Sequence, residues 1–230
     1  MSFQKRQMET DLIEKVASLQ AETLENCDFT KILKYLNVFL NIHESIDEED
    51  SELTKLWNDI IADILGAIYT GISGFYRIAM ISMRSILEMA CVSFYYYDHK
   101  VEYHMFVEND LAADKYVSTL VNDYRFFTSN YIHYFADDID DIEVSNNAIA
   151  NKLKKIYKDQ CDVVHGRYKN LLKADGLSIK YDKILFDKFE RMLMETMSIV
   201  SVMYILRFNK RDDKSLLELA EYIKVVEFNE

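Results

Sequence analysis

The amino-acid sequence predicts an all-α protein, a multi-helix bundle that begins with an N-terminal helical hairpin. The 230 residues include no proline and only 5 glycines, the two residues that most tight turns and β-hairpins need. Long segments also place apolar residues three and four positions apart, which is the spacing of one helix face. Half of the residues are hydrophobic and 29% are charged, a balance that favours a folded core over a disordered chain.

The N-terminal part of the chain predicts two helices joined by a short turn. Residues 4–24 carry the apolar spacing of a first amphipathic helix. Asp28 or Thr30 can cap a second helix, which is predicted to run to about Ile46. The acidic residues 47–51 then predict a loop, whose charges suit the start of the next helix.

The middle of the chain predicts the most deeply buried helices. A third helix follows from the apolar pattern of residues 53–68, and the close pair Gly71 and Gly74 marks a break after it. Residues 74–98 are apolar on nearly every side, so this fourth helix belongs at the centre of the bundle or is shared with a partner. Residues 110–135, which are rich in aromatic side chains, predict a further single helix.

The C-terminal part predicts three more helices separated by polar segments. An acidic loop at 137–141 precedes a helix over residues 146–172, and Asp175-Gly176 predicts a turn. Residues 182–208 predict a second very apolar helix, and an amphipathic helix over 216–226 completes the fold.

The chain shows no internal repeat and no linker rich in glycine, serine or proline. We therefore predict one all-helical domain over residues 1–230, with its core bundle between residues 51 and 208. Residues 1–46 form either the predicted hairpin or a dimerisation arm.

The charge of the chain limits its partners. A net charge of -12 and a pI near 4.9 argue against general affinity for DNA or phospholipid, because phosphate contacts need clustered lysine and arginine. The most basic stretch, residues 152–158, is either a local binding surface that includes Lys158 or a solvated helix face.

The cysteines indicate a reducing compartment, and the apolar runs indicate neither a signal peptide nor a membrane span. The three cysteines are widely spaced and include no CxxC pair, which predicts neither a disulfide framework nor a zinc site. The first residues lack the apolar core of a signal peptide, and the apolar run at 197–206 is shorter than the roughly 20 residues that span a bilayer. The acidic loop lacks the glycine turn and terminal glutamate of an EF-hand. We predict a cytoplasmic protein without membrane association, metal or other cofactor.

His165 is the first candidate for a functional residue. Imidazole titrates near neutral pH, and in a helix Asp162 lies on the same face and could orient the ring, with Tyr157 two turns earlier on that side. The alternative is structural, because a histidine at a helix end can hydrogen-bond to the last carbonyl groups.

Arg84 and Glu88 form the second candidate site, four residues apart within an apolar helix. Arg84 could bind a phosphate or carboxylate in a cleft of the bundle, and Arg77, two turns earlier, could add positive charge. The alternative is a buried ion pair that fixes the helix register, and breaking such a pair would cost about 3–5 kcal/mol.

The Arg84–Glu88 pattern, together with a later helix that ends in Cys-Asp-Val-Val-His165-Gly, resembles HEPN-type helical proteins and their abortive-infection-like relatives over roughly residues 70–170. The resemblance implies an all-α bundle, frequent homodimers and, in active members, RNA cleavage without metal by an Arg and a His that are separated by four to six intervening residues. His165 matches that histidine. Gln160 stands where the arginine is expected, Arg167 follows the histidine, and Arg84 is the candidate substitute.

Three functions follow from these residues. The first is a degenerate RNA-related or protein-binding module of a prokaryotic antiviral defence or toxin–antitoxin system, with a homodimer, a protein or RNA as partner. The second is an active metal-independent ribonuclease that uses His165 and Arg84, with Glu88 and Asp162 in the same catalytic site. The third is a structural helical protein of a phage or mobile element.

Overall fold

The structure of the protein, a computed structural model, describes residues 5–109, 116–135, 142–143, 147–165 and 179–228. The predicted all-α class is confirmed. The described residues also include one short antiparallel pairing, in which Ile142 lies opposite Phe228 and Glu143 opposite Glu227. The predicted acidic loop at 137–141 and the predicted turn at Asp175-Gly176 lie outside the described residues.

The elements follow one another along the chain as a series of helices with short connections. They are α1 (Lys5–Met8), a π-helical segment (Glu9–Glu14), α2 (Lys15–Asn26), α3 (Thr30–Glu49), a 3₁₀ turn (Ser51–Leu53), α4 (Thr54–Ile72), α5 (Tyr76–Asp98), α6 (Lys100–Glu108), α7 (Val117–Asp123), α8 (Ser129–Ile132), β1 (Ile142–Glu143), α9 (Ala148–Val164), α10 (Lys183–Phe208), α11 (Lys214–Ala220), a second 3₁₀ turn (Glu221–Ile223) and β2 (Glu227–Phe228).

Helix α10 lies at the centre of the fold. Every residue from Met192 to Leu206 is buried except Glu195, which is half-buried. It packs against α3, α5, α9 and α11, and Asp182 caps its start by accepting a hydrogen bond from the Leu185 N–H at 3.0 Å. The sequence predicted this segment as a very apolar helix, and burial on nearly every side requires that other helices surround it.

The neighbouring pair α4 and α5 forms the most extensive helix–helix contact of the fold. Trp57 of α4 is fully buried, donates a 2.7 Å hydrogen bond to Ser93 Oγ of α5, and packs edge-on against Phe94. Gly71 allows the α10 ring of Phe189 to lie so close to α4 that a Cβ at position 71 would fall 2.6 Å from it. This close approach fixes the position of α10 relative to α4.

The turn between α4 and α5 also holds the N-terminal helix. Gly74 has a φ of +77°, in the left-handed region that favours glycine. A Cβ at this position would lie 2.6 Å from Leu19 Cδ2 of α2, and Gln20 Nε2 donates a 2.8 Å hydrogen bond to Ser73 Oγ of the same turn. The N-terminal helix is therefore anchored to the body of the protein at this turn.

Two sequence predictions about the α3 region and the aromatic segment were wrong. The predicted loop at 47–51 is mostly helical, because α3 continues to Glu49 and the 3₁₀ turn begins at Ser51. The single helix predicted for 110–135 is wrong within the described residues 116–135, which form two short helices, α7 and α8. Between them Arg125 and Phe127 adopt left-handed backbone angles that no regular helix accommodates. Burial of Phe126 and Phe127 stabilises this irregular segment.

Candidate functional site

The residues predicted from the α5 pattern form a three-residue cluster with α9, which we call the Arg84 cluster (Arg84, Glu88 and Tyr157). Arg84 Nε donates to Glu88 Oε1 at 2.9 Å, and Arg84 Nη2 donates to the Tyr157 hydroxyl at 3.2 Å. Tyr157 in turn donates to the same Glu88 oxygen at 2.9 Å. The guanidinium also lies 5.3 Å from the centre of the Tyr157 ring. The cluster thus joins α5 to α9 through a closed triangle of hydrogen bonds.

The electrostatics of the Arg84 cluster favour a fixed role for each group. Burial raises the pKa of the Tyr157 phenol, and its hydrogen bond to Glu88 raises it further, so this hydroxyl stays protonated near neutral pH. Burial lowers the pKa of the Arg84 guanidinium, but the hydrogen bond and charge of Glu88 outweigh burial and raise it overall. Tyr157 is therefore a hydrogen-bond donor here, and a base at this position is disfavoured.

We expect replacement of Arg84 by alanine to lower the free energy of unfolding by about 1–2 kcal/mol. The loss is smaller than for a fully buried pair, because the side chains of Arg84 and Glu88 are 19% and 28% exposed to solvent. In addition, Tyr157 still donates its hydrogen bond to Glu88 in the variant. Urea denaturation would measure it. A matched control is Lys183→Ala, which breaks the exposed i,i+4 pair with Asp187 and should leave stability unchanged. A loss equal to that of the control would show that the cluster contributes nothing.

Arg77 lies at the other end of the α5–α9 contact. Its Nη2 is 3.4 Å from the carbonyl oxygens of both Val163 and Val164, the last residues of α9. A cation at a helix C-terminus satisfies carbonyl groups that have no partner within the helix and interacts favourably with the helix dipole. The position of Arg77 is thus explained by closure of α9.

His165 is exposed and ends α9, where its backbone N–H donates to the Cys161 carbonyl at 2.9 Å. The two helices run antiparallel, since Arg77 contacts the end of α9 and Arg84 contacts Tyr157. Tyr157 and His165 are eight residues apart, which corresponds to roughly 12 Å along a helix. Within one chain, His165 and Arg84 are therefore at different places, and Arg77 is the arginine at the His165 end.

Gln160 faces the core between α9 and α10. It is 1% exposed, and its Nε2 donates a 2.8 Å hydrogen bond to Thr196 Oγ1, which donates to the Met192 carbonyl at 2.7 Å. The position that would carry arginine in the resembled motif is thus enclosed within the protein. A guanidinium there would lose its hydration and could not reach a substrate on the surface.

Asp162 is buried whereas His165 is exposed, although the helical spacing suggested that they share a face. It is 5% exposed and lines a polar cleft of about 380 Å3 between α9 and α10. Lys155 and Arg191 also line this cleft, which sequence reasoning missed. The signal was present, because Lys155, Asp159 and Asp162 recur at intervals of four and three residues.

The remaining predicted binding residues are Lys158 and Arg167. Lys158 is exposed on α9, and Arg167 lies outside the described residues. Among the residues that the structure describes, no group of three or more His, Cys, Asp or Glu side chains is placed to hold a metal ion. Within the same residues α5 alone is long and apolar enough to cross a bilayer, but 61% of its apolar window is buried inside the protein.

Comparison with protein-family models, curated proteins and solved structures finds no match to this chain. The resemblance to HEPN-type proteins therefore depends on the short motifs that end at Glu88 and His165, and any functional assignment depends on the residues themselves.

Proposed function

We propose that this chain is a non-catalytic, HEPN-like helical bundle with an N-terminal hairpin, and that it serves as a cytoplasmic protein-binding module in a prokaryotic defence or toxin–antitoxin system. The observation that carries the proposal is the burial of Gln160, whose amide binds Thr196 in the core. Glutamine supplies no permanent charge, and its enclosed position leaves His165 without a motif arginine on the same helix.

The charge of the chain favours a protein over RNA as the partner. RNA binding depends on cations that contact phosphates, whereas this chain carries a net charge of -12. Arg84 and Arg77, the two arginines of α5, are held by Glu88 and Tyr157 and by the α9 carbonyl groups, respectively. Both arginines thus have structural partners within the protein. The same arrangement is expected if the chain is a structural protein of a phage or mobile element.

The alternative of an active ribonuclease keeps one specific observation in its favour. His165 is exposed, and the Arg84 side chain retains 19% of its exposure, so a two-fold related copy could bring one near the other. This arrangement would place an imidazole and a guanidinium on either side of a bound RNA.

We expect the purified chain to leave single-stranded and hairpin RNA intact in the presence of EDTA, because no motif arginine lies beside His165. Gel electrophoresis of labelled RNA over time would measure this. The wild type and His165→Ala should leave the same amount of RNA uncleaved. His104→Ala serves as a matched control at another exposed histidine. Cleavage that is lost in His165→Ala but kept in His104→Ala would replace our proposal with the active ribonuclease.

A further inference from the structure

The cleft between α9 and α10 carries charged side chains that have no partner within the described part of the chain. Four such side chains line it, Lys155 and Asp159 from α9 and Lys188 and Arg191 from α10. None of these four side chains forms a hydrogen bond or an ion pair with another described residue. Their full capacity for charge-assisted hydrogen bonds is therefore available to a molecule that enters the cleft.

A second cleft, between α3 and α10, shows the opposite arrangement. It measures about 480 Å3, and two of its lysines already have carboxylate partners. Lys34 forms an ion pair with Glu218 at 2.5 Å, and Lys183 forms one with Asp187 at 2.6 Å. The charges that line this second cleft are thus largely neutralised within the protein, and the cleft between α9 and α10 differs from it in keeping its charges apart.

The two helices present their charges in opposite order along the cleft. Helix α5 runs parallel to α10, because the Tyr76 hydroxyl contacts Asp182 and Asp98 contacts Arg207. Helix α9 runs antiparallel to α5 and is therefore antiparallel to α10 as well. In one direction along the cleft, α9 presents a cation followed by two carboxylates, whereas α10 presents a carboxylate followed by two cations.

At one end of the cleft, two carboxylates of α9 lie opposite two cations of α10. The carboxylates are Asp159 and Asp162, and the cations are Lys188 and Arg191. Among the described residues no ion pair joins these two walls, so the opposite charges stay too far apart to neutralise each other directly. A molecule that carries both an ammonium and a carboxylate group matches both walls, whereas a simple anion or a simple cation would meet like charge on one of them.

The other end of the cleft adds a preference for a second negative group. Lys152 forms a 3.1 Å ion pair with Glu195 there, which leaves Lys155 as the cation without a partner at this end. With that pair neutral, the three remaining cations of the cleft exceed its two remaining carboxylates by one. A ligand with one ammonium and two carboxylate groups therefore balances the charge of the whole cleft.

We propose that the cleft between α9 and α10 binds an acidic α-amino acid, glutamate or aspartate. The ammonium of the ligand contacts Asp159, its α-carboxylate contacts Arg191, and its side-chain carboxylate contacts Lys155. The buried side chains of Val163 and Met192 line the cleft and pack against the methylene groups of the ligand. The cleft volume of about 380 Å3 suits a small molecule. This site goes beyond the proposed function, since it requires neither a protein partner nor a nucleic acid.

Isothermal titration calorimetry of the full chain with L-glutamate tests the chemistry of the site. N-acetyl-glutamate lacks the ammonium group and glutamine lacks the side-chain charge. We expect each to bind at least about tenfold more weakly than glutamate, because each loses a charge-assisted contact. Equal affinity for glutamate and either analogue overturns the proposal. So does the absence of binding with about 10 mM glutamate, a concentration that would fill most of a site with a Kd of about 1 mM.

Substitutions in the cleft test the location of the site. Arg191→Met and Asp159→Asn each remove one charge from an exposed side chain, so the urea midpoint should stay unchanged while the affinity for L-glutamate falls at least about tenfold. The matched control is Lys183→Met, which removes an exposed cation of α10 outside this cleft and should bind glutamate as the wild type does. Unchanged affinity in both cleft variants overturns the proposal. None of these measurements involves RNA, so the amino-acid site and the non-catalytic function fail independently.

Discussion

Replacement of Trp57 by alanine is expected to lower the free energy of unfolding by about 3–5 kcal/mol. Trp57 is fully buried, lies 6.1 Å from Phe94 and 6.5 Å from Phe39 between ring centres, and binds Ser93. Truncation removes the aromatic contacts that join α3, α4 and α5 and leaves a cavity among them. Because Trp57 is the only tryptophan, urea denaturation should be followed by far-ultraviolet circular dichroism and not by tryptophan fluorescence.

Trp57→Phe separates packing from hydrogen bonding at the same position. Phenylalanine keeps much of the aromatic volume but leaves the Ser93 hydroxyl, which is buried, without the indole donor. We expect a loss of about 1–2 kcal/mol for this variant. If the alanine variant lost no more than the phenylalanine variant, Trp57 would not be the centre of this packing.

We expect replacement of Gly74 by alanine to destabilise the protein by about 2–3 kcal/mol. An L-residue is strained at a φ of +77°, and the added Cβ would lie 2.6 Å from Leu19 Cδ2 and 3.2 Å from the Lys180 carbonyl oxygen. Displacement of Leu19 would also release the N-terminal helix. Limited proteolysis should therefore cut the variant between α2 and the body sooner than the wild type, alongside a lower urea midpoint.

Gly66→Ala is the matched control for this substitution. Gly66 lies within α4 with nothing within 4 Å of an added Cβ, so alanine there should raise stability by about 0.5–1 kcal/mol through its helix propensity. The same Gly→Ala change is thus expected to raise the free energy of unfolding at position 66 and to lower it at position 74. Equal effects at Gly66 and Gly74 would contradict the assigned roles of the turn and of Leu19.

The helices that the sequence predicted best are those whose apolar pattern alone requires burial. Residues 74–98 are apolar on nearly every side, and α5 spans Tyr76–Asp98 with most of its side chains buried. Residues 182–208 were predicted as a second very apolar helix, and α10 spans Lys183–Phe208. The segment 110–135 could not be predicted in this way. Its aromatic residues pack in the core against residues that are distant in sequence, for example Phe127 against Phe94 of α5. Such tertiary contacts override the local pattern.

The candidate site shows the same division between local and distant information. The spacing of Arg84 and Glu88 predicted their contact, because residues four apart on a helix are neighbours. The contact of Tyr157 with Arg84 depends on the register of α9 against α5. The burial of Gln160 against Thr196 depends in the same way on the register of α9 against α10. Neither register is encoded in a short motif, so the sequence did not reveal that the motif arginine position is enclosed.

Leu19 packed at Gly74 and the hydrogen bond from Gln20 to Ser73 couple the N-terminal helix to the turn between α4 and α5. Any molecule that bound only the folded form of this helix would therefore stabilise the turn by mass action, although it touched neither α4 nor α5.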